Sequence, residues 1–150
     1  MTRAQRLSGG VTAFRRRRQR GQAIIESSLV LIVVLATVVG ICDFGQVVFV
    51  HQSLTNRARK AVRYGSINYT DLVAVRNIVL YNQTTVPGDG TQGYLGLTAA
   101  MVNVSRADQD TNDERIVVTI SNYPFHFFSP WIAGAYTGRK ITASSPVEAD

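Results

Sequence analysis

Between Gln22 and Cys42 the chain runs for 21 residues with a single charged side chain, Glu26. No polar face interrupts Leu29 to Ile41 apart from Thr37 and Gly40. A helix rising about 1.5 Å per residue would cover roughly 31 Å over this run, close to the hydrocarbon thickness of a bilayer. The Val, Ile and Leu content would also suit a buried strand, but strands of that length are rare and no turn signal breaks the run. The pattern predicts a transmembrane helix over residues 22–42.

Polar residues return after Asp43 while the period stays helical. Phe44, Val47, Val48, His51, Leu54, Ala58, Ala61 and Val62 recur at three- and four-residue steps. No proline appears before Pro87, so nothing forces a break where the apolar run ends. The spacing predicts one helix from about Gln22 to about Tyr64, with Gly65 just past its end at the C′ position. Its extension, residues 43–66, carries an apolar stripe that the rest of the chain must cover.

The remaining pattern is that of a small domain, residues 67–150. Thr70 and Asp71 form a good helix start, and Leu72, Val75, Ile78 and Val79 give a stripe to about Tyr81. Residues 82–98 hold Pro87, Gly88, Gly90, Gly93 and Gly96. They lack the Gly-Lys-Ser/Thr ending of a phosphate loop and read as a surface loop. Alternating β-branched positions predict strands over Met101 to Ala107 and Arg115 to Tyr123. In the turn between them Asp108, Asp110 and Asn112 mimic the start of a calcium loop. Asp113 stands where its glycine belongs, however, and Thr119 where its glutamate belongs, so a solvated hairpin tip is expected. Pro124 and Pro130 break regular structure in Tyr123 to Gly134. There Phe125, Phe127, Phe128 and Trp131 are expected to cap the core, the alternative being an exposed patch for another subunit. Lys140 to Pro146 reads as a last strand. The expected fold class is α+β: a long N-terminal transmembrane helix extending into a small antiparallel sheet domain, with a short second helix and three strands against the helix stripe.

Charge changes the picture only when divided along the chain. Residues 1–20 read as a disordered basic leader. It holds seven of the 16 basic residues and none of the ten acids, so residues 22–150 hold nine basic and ten acidic groups. The chain's net charge of +6 therefore comes from the leader, the remainder being slightly acidic, which argues against a nucleic-acid partner, since the folded domain itself should then be basic. Arginines on one flank instead set topology: that side stays cytoplasmic and the C-terminal part faces outward. A signal peptide would need a shorter apolar region and a small-x-small cleavage site after it. Arg57, Arg59, Lys60 and Arg63 form a second basic cluster. A solvated helix face is its default reading, and contact with an acidic partner surface the sharper one.

Catalytic chemistry is not visible. One cysteine, Cys42, excludes an intrachain disulfide. The two histidines, His51 and His126, are far apart and have no acids nearby in sequence. No nucleophile motif, metal cluster or cofactor box appears, so no enzyme activity, cofactor, metal or small-molecule substrate is expected. Glu26 is the one unusual group. Charged residues at mid-membrane cost about 2.5–3.5 kcal/mol on insertion scales, and less near an edge. The bland reading is that it reaches the headgroups.

A basic leader, then Gly21-x-x-x-x-Glu26, then an apolar helix resembles the processing site of type IV pilins and pseudopilins. The continuation from Gly21 to Ser66 resembles the TadE-like proteins of tight-adherence (Flp) pilus systems. In these an apolar run passes into Asp-Phe-Gly, here Asp43, Phe44 and Gly45. A long helix then carries Leu-Thr-Asn, here Leu54, Thr55 and Asn56, and ends near Val62, Arg63 and Tyr64. The strand, Tyr-Pro-Phe and aromatic loop near the C-terminus resemble the same family. Ser27 departs from it, because an aromatic residue usually follows the glutamate. The resemblance implies a leader of residues 1–21 removed by a prepilin peptidase between Gly21 and Gln22. The freed amine of Gln22 would pair with Glu26 and align neighbouring subunits. It further implies other pilin or pilus-assembly subunits as partners, with Phe127 and Trp131 as candidate contacts beside the basic cluster, and a bacterial inner-membrane location. The rival readings are an uncleaved single-span envelope protein whose outer domain binds a partner protein, and an exported enzyme or ligand-binding domain.

Overall fold

A computed structural model describes the backbone of residues 8–129, 132 and 134–148, with side chains from Gly21 onward. The chain divides into two compact units, residues 1–42 and 43–150. Helix α1, Ser8–Ile67, supplies most of the first unit and opens the second. It begins earlier than expected: the leader read as disordered is helical from Ser8. Its Arg and Gln residues are good helix formers, no proline intervenes, and extending an existing helix avoids a second nucleation. In the first unit the side chains from Gly21 to Cys42 are exposed almost without exception. The hydroxyls of Ser28 and Thr37 each donate to the carbonyl four residues back, Ile24 and Val33, at 2.8 Å. They satisfy themselves within the helix, as an apolar environment requires.

In the second unit the C-terminal part of the expected stripe turns inward: Leu54, Ala58, Ala61 and Val62 are buried, joined by Val50, whereas Phe44 is 72% exposed and Val48 lies outside. The face is fixed by where the small residues fall. Ala58 and Ala61 let the sheet approach, and Gly65 continues the row. Gly65 is therefore not a C′ residue. It lies within the helix, and a Cβ there would stand 3.1 Å from methyl carbons of both Ile116 and Val75. Close packing, not termination, is what this position requires. The helix ends two residues later, with the Asn68 amide donating to the Tyr64 carbonyl at 3.0 Å.

Helix α2, Leu72–Tyr81, starts where the sequence indicates. The Asp71 carboxylate accepts from the Ala74 amide at 2.9 Å, satisfying one of the unpaired first-turn donors. Asn82 closes it in the left-handed conformation, which suits its short polar side chain. The following loop carries two short 3-10 turns, Tyr94–Gly96 and Ala99–Met101. Strands β1 (Val102–Ala107), β2 (Arg115–Ile120) and β5 (Ile141–Pro146) form an antiparallel sheet in the order β1-β2-β5. The register pairs Val104 with Val118 and Ile120 with Ile141. These residues alternate inward with Val102 and Ile116 to meet α1 and α2 in one core.

Two short strands depart from the expected irregular aromatic loop. Strand β3 (Pro124–Phe125) pairs antiparallel with β4 (Tyr136–Thr137). Proline is tolerated here because the two-residue ladder asks little of its missing N–H. The stripe makes a direct test. Leu54→Ala should lower stability by about 2–5 kcal/mol, and Phe44→Ala by less than about 0.5 kcal/mol, in denaturant unfolding of the detergent-solubilised chain. Equal effects would mean that the inward face is assigned wrongly.

Candidate functional site

The N-terminal segment keeps its sequence-predicted groups in the open. Gly21, Gln22 and Glu26 are all exposed, and nothing lies within 4 Å of a Cβ built on Gly21. Around them Ile24, Ile25, Leu29, Val30 and Leu31 also face outward. An apolar surface of this extent needs lipid or other helices against it. Among the described residues one helix, Gly21–Ile67 within α1, is long and apolar enough to cross a membrane.

In the second unit the site is built around Asp43. This carboxylate is only 5% exposed, and a buried charge must find donors. It finds them 85 residues away. The Phe128 amide donates to Asp43 Oδ1 at 2.6 Å, and the Ser129 amide reaches Oδ1 at 3.3 Å and Oδ2 at 3.2 Å. The aromatic loop is thus tied to the first residue after the apolar run. Further along, Tyr123 OH and His51 Nδ1 share a hydrogen bond of 3.0 Å. Gly138 makes room for this contact, since a Cβ there would fall 1.9 to 2.4 Å from three Tyr123 side-chain atoms. Burial pushes the Tyr123 hydroxyl above its ordinary pKa. The stability it contributes is therefore present below about pH 10 and lost as pH rises through the folded value.

Phe125, Phe127 and Phe128 do not join the core as expected. Phe125, Phe127 and Tyr136 form their own cluster, with Phe127 edge-on to Phe125 at 5.4 Å and to Tyr136 at 5.0 Å between ring centroids. Such edge-to-face pairs are favourable beyond their buried area. Phe128 is left 73% exposed, with Ile132 also outside. Trp131 lies outside the described residues.

The basic cluster divides. The Arg57 guanidinium sits over the Tyr94 ring, 3.6 Å from its centroid, and donates to the Val79 carbonyl at 3.3 Å. Lys60 Nζ donates to Asn82 Oδ1 at 2.7 Å. Both fasten α2 and the glycine-rich loop to α1. Arg59 and Arg63 remain exposed, and Arg59 borders a shallow groove of about 430 Å³ with Val48, Gln52 and Asn56. At the hairpin tip Asp108 pairs with Arg115 at 2.7 Å, and Glu114 pairs with Arg106.

Sequence reasoning missed the tether and the Arg57–Tyr94 stack. Asp43 was legible as a lone acid directly after an apolar run, but nothing in the chain pointed to the amides it would meet.

These features define a protein with one candidate membrane helix continuing into a small α+β domain. Residues 21–63 match the model of the family described as TadE-like protein. The match covers less than a third of the chain and falls within the Gly21 to Ser66 stretch that carries the resemblance. No curated protein and no solved structure matches the chain.

The tether is open to a direct check. Asp43→Ala should speed amide hydrogen exchange at Phe128 and Ser129 and lower stability by about 1–3 kcal/mol, the typical effect of stranding buried donors. Unchanged exchange at both amides would refute it.

Proposed function

We propose that this chain is a membrane-anchored minor pilin or pseudopilin for assembly of a Flp-type adhesive pilus, and not an enzyme. The observation that carries the reading is the extent of the family match: it begins at Gly21 and runs through the apolar segment to Arg63. A prepilin peptidase cuts between Gly21 and Gln22. The open surroundings of Gly21 favour this, since a small residue lets the backbone come close to a peptidase. The new amine at Gln22 then lies one helical turn from Glu26, where a positive charge offsets the burial of the carboxylate among apolar neighbours. The arginine-rich leader holds the N-terminus in the cytoplasm of a bacterial cell and leaves the α+β domain outside the inner membrane. The exposed apolar side chains of residues 22–42 pack against other pilin or pilus-assembly helices. Arg59 and Arg63 are the members of the basic cluster left open to such partners, with Phe127 and Trp131 as further candidate contacts.

Intact mass of the membrane-extracted protein tests the processing step. Co-expression with the cognate prepilin peptidase should remove residues 1–21 from the wild type and leave Gly21→Ile at full length. A full-length wild type beside a demonstrably active peptidase would leave the uncleaved single-span anchor as the better account.

A further inference from the structure

We propose that the aromatic loop around Phe128 is a lipid anchor, seated in the headgroup region of the leaflet where the apolar run ends. The inference rests on residues 22–42 spanning a membrane and is independent of whether the leader is cleaved.

Position comes first. Asp43 follows Cys42 directly in the chain, so it marks the end of the apolar run. Its carboxylate holds the Phe128 amide at 2.6 Å and the Ser129 amide at 3.2 Å. The loop is therefore held beside Asp43, the residue that directly follows the apolar run in the chain. The Ile132 amide donates back to the Ser129 carbonyl at 3.2 Å, which folds the chain over immediately after the tether.

Composition comes second. Phe128 is 73% exposed and Phe44, next to Asp43, is 72% exposed, with Ile132 also outside. Two exposed phenylalanines attached to one buried carboxylate are unexplained by the core, which both have left. Aromatic rings are enriched where membrane meets water, and partly buried apolar side chains anchor peripheral segments there. Charge does not oppose it. From Tyr123 to Gly138 the chain contains no Asp or Glu, so no carboxylate of the loop would be carried toward the phospholipid headgroups.

This gives Asp43 its purpose. A loop held by side-chain packing alone would sit wherever its own cluster allowed. Two hydrogen bonds to the boundary residue instead fix its height relative to the bilayer.

The test uses the full chain reconstituted in vesicles of zwitterionic and anionic phospholipid, in a Trp131→Phe background that removes the single native tryptophan. Tryptophan is then introduced singly by Phe128→Trp, Ile32→Trp or Gln83→Trp, and its emission is measured with lipids brominated near the headgroup or near the acyl end. Phe128→Trp should emit at shorter wavelength than Gln83→Trp and be quenched severalfold more by the shallow label than by the deep one. Ile32→Trp should be quenched most by the deep label, and Gln83→Trp by neither. Adding Asp43→Ala to Phe128→Trp should reduce the shallow quenching severalfold. Quenching of Ile32→Trp without any of Phe128→Trp would overturn the anchor, keep the span, and leave the loop to a protein neighbour. Absence of quenching at both positions would overturn the span and the anchor together.

Discussion

One packed contact underlies the second unit: the small-residue row of α1, Ala58, Ala61 and Gly65, against the sheet and α2. Small side chains let the backbones approach, and the larger Ile116 and Val75 fill the space that Gly65 leaves. Everything later in the chain is arranged to reach this row. α2 lays Val75 and Val79 beside it, the sheet turns Val102, Ile116, Val118 and Ile120 toward it, and Arg57 and Lys60 fasten the intervening segment from above. Hydrophobic burial supplies the drive, but the identity of the inward face is steric. Had volume alone decided, Phe44 would have been buried and Ala58 exposed.

The same reasoning separates what was legible in the sequence from what was not. Long periodic signals were readable: the apolar run, the Asp71 start of α2, and the three main strands with their acidic hairpin tip. Each depends on local chemistry that the chain states within a few residues. The start of the α1 stripe was harder. Leu54, Ala58, Ala61 and Val62 were read correctly, but Phe44 and Val48 have the right spacing and lie outside, while Val50, absent from the pattern, is buried. Gly65 was readable as special and misread in kind, because a helix-terminating glycine and a close-packing glycine look alike until the neighbour is known. The pairing of Pro124–Phe125 with Tyr136–Thr137 escaped because two prolines argued against any ladder. Of the candidate site, the groups from Gly21 to Glu26 were singled out by their spacing, and the structure adds that they are exposed. The tether at Asp43 was not, since it links residues 85 positions apart.

Several polar groups are satisfied by backbone: Ser28 and Thr37 by their own helix, Asp43 by the amides of the aromatic loop. At the hairpin tip Asp108 pairs instead with the Arg115 side chain. Glu26 is a charge among exposed apolar neighbours, Ile24, Ile25, Leu29 and Val30.

The order of strands has a consequence for how the domain comes into being. β5 pairs with β2, the middle of the sheet, and beyond it the Glu148 amide donates to the Ser66 carbonyl at the end of α1. Until β5 arrives, β2 has an open edge of unpaired amides and carbonyls, and the core lacks Ile141. A chain delivered from its N-terminus, by a ribosome or through a translocation channel, must therefore leave this sheet incomplete until β5 has emerged. During that interval the open edge of β2 is a template on which another chain could pair.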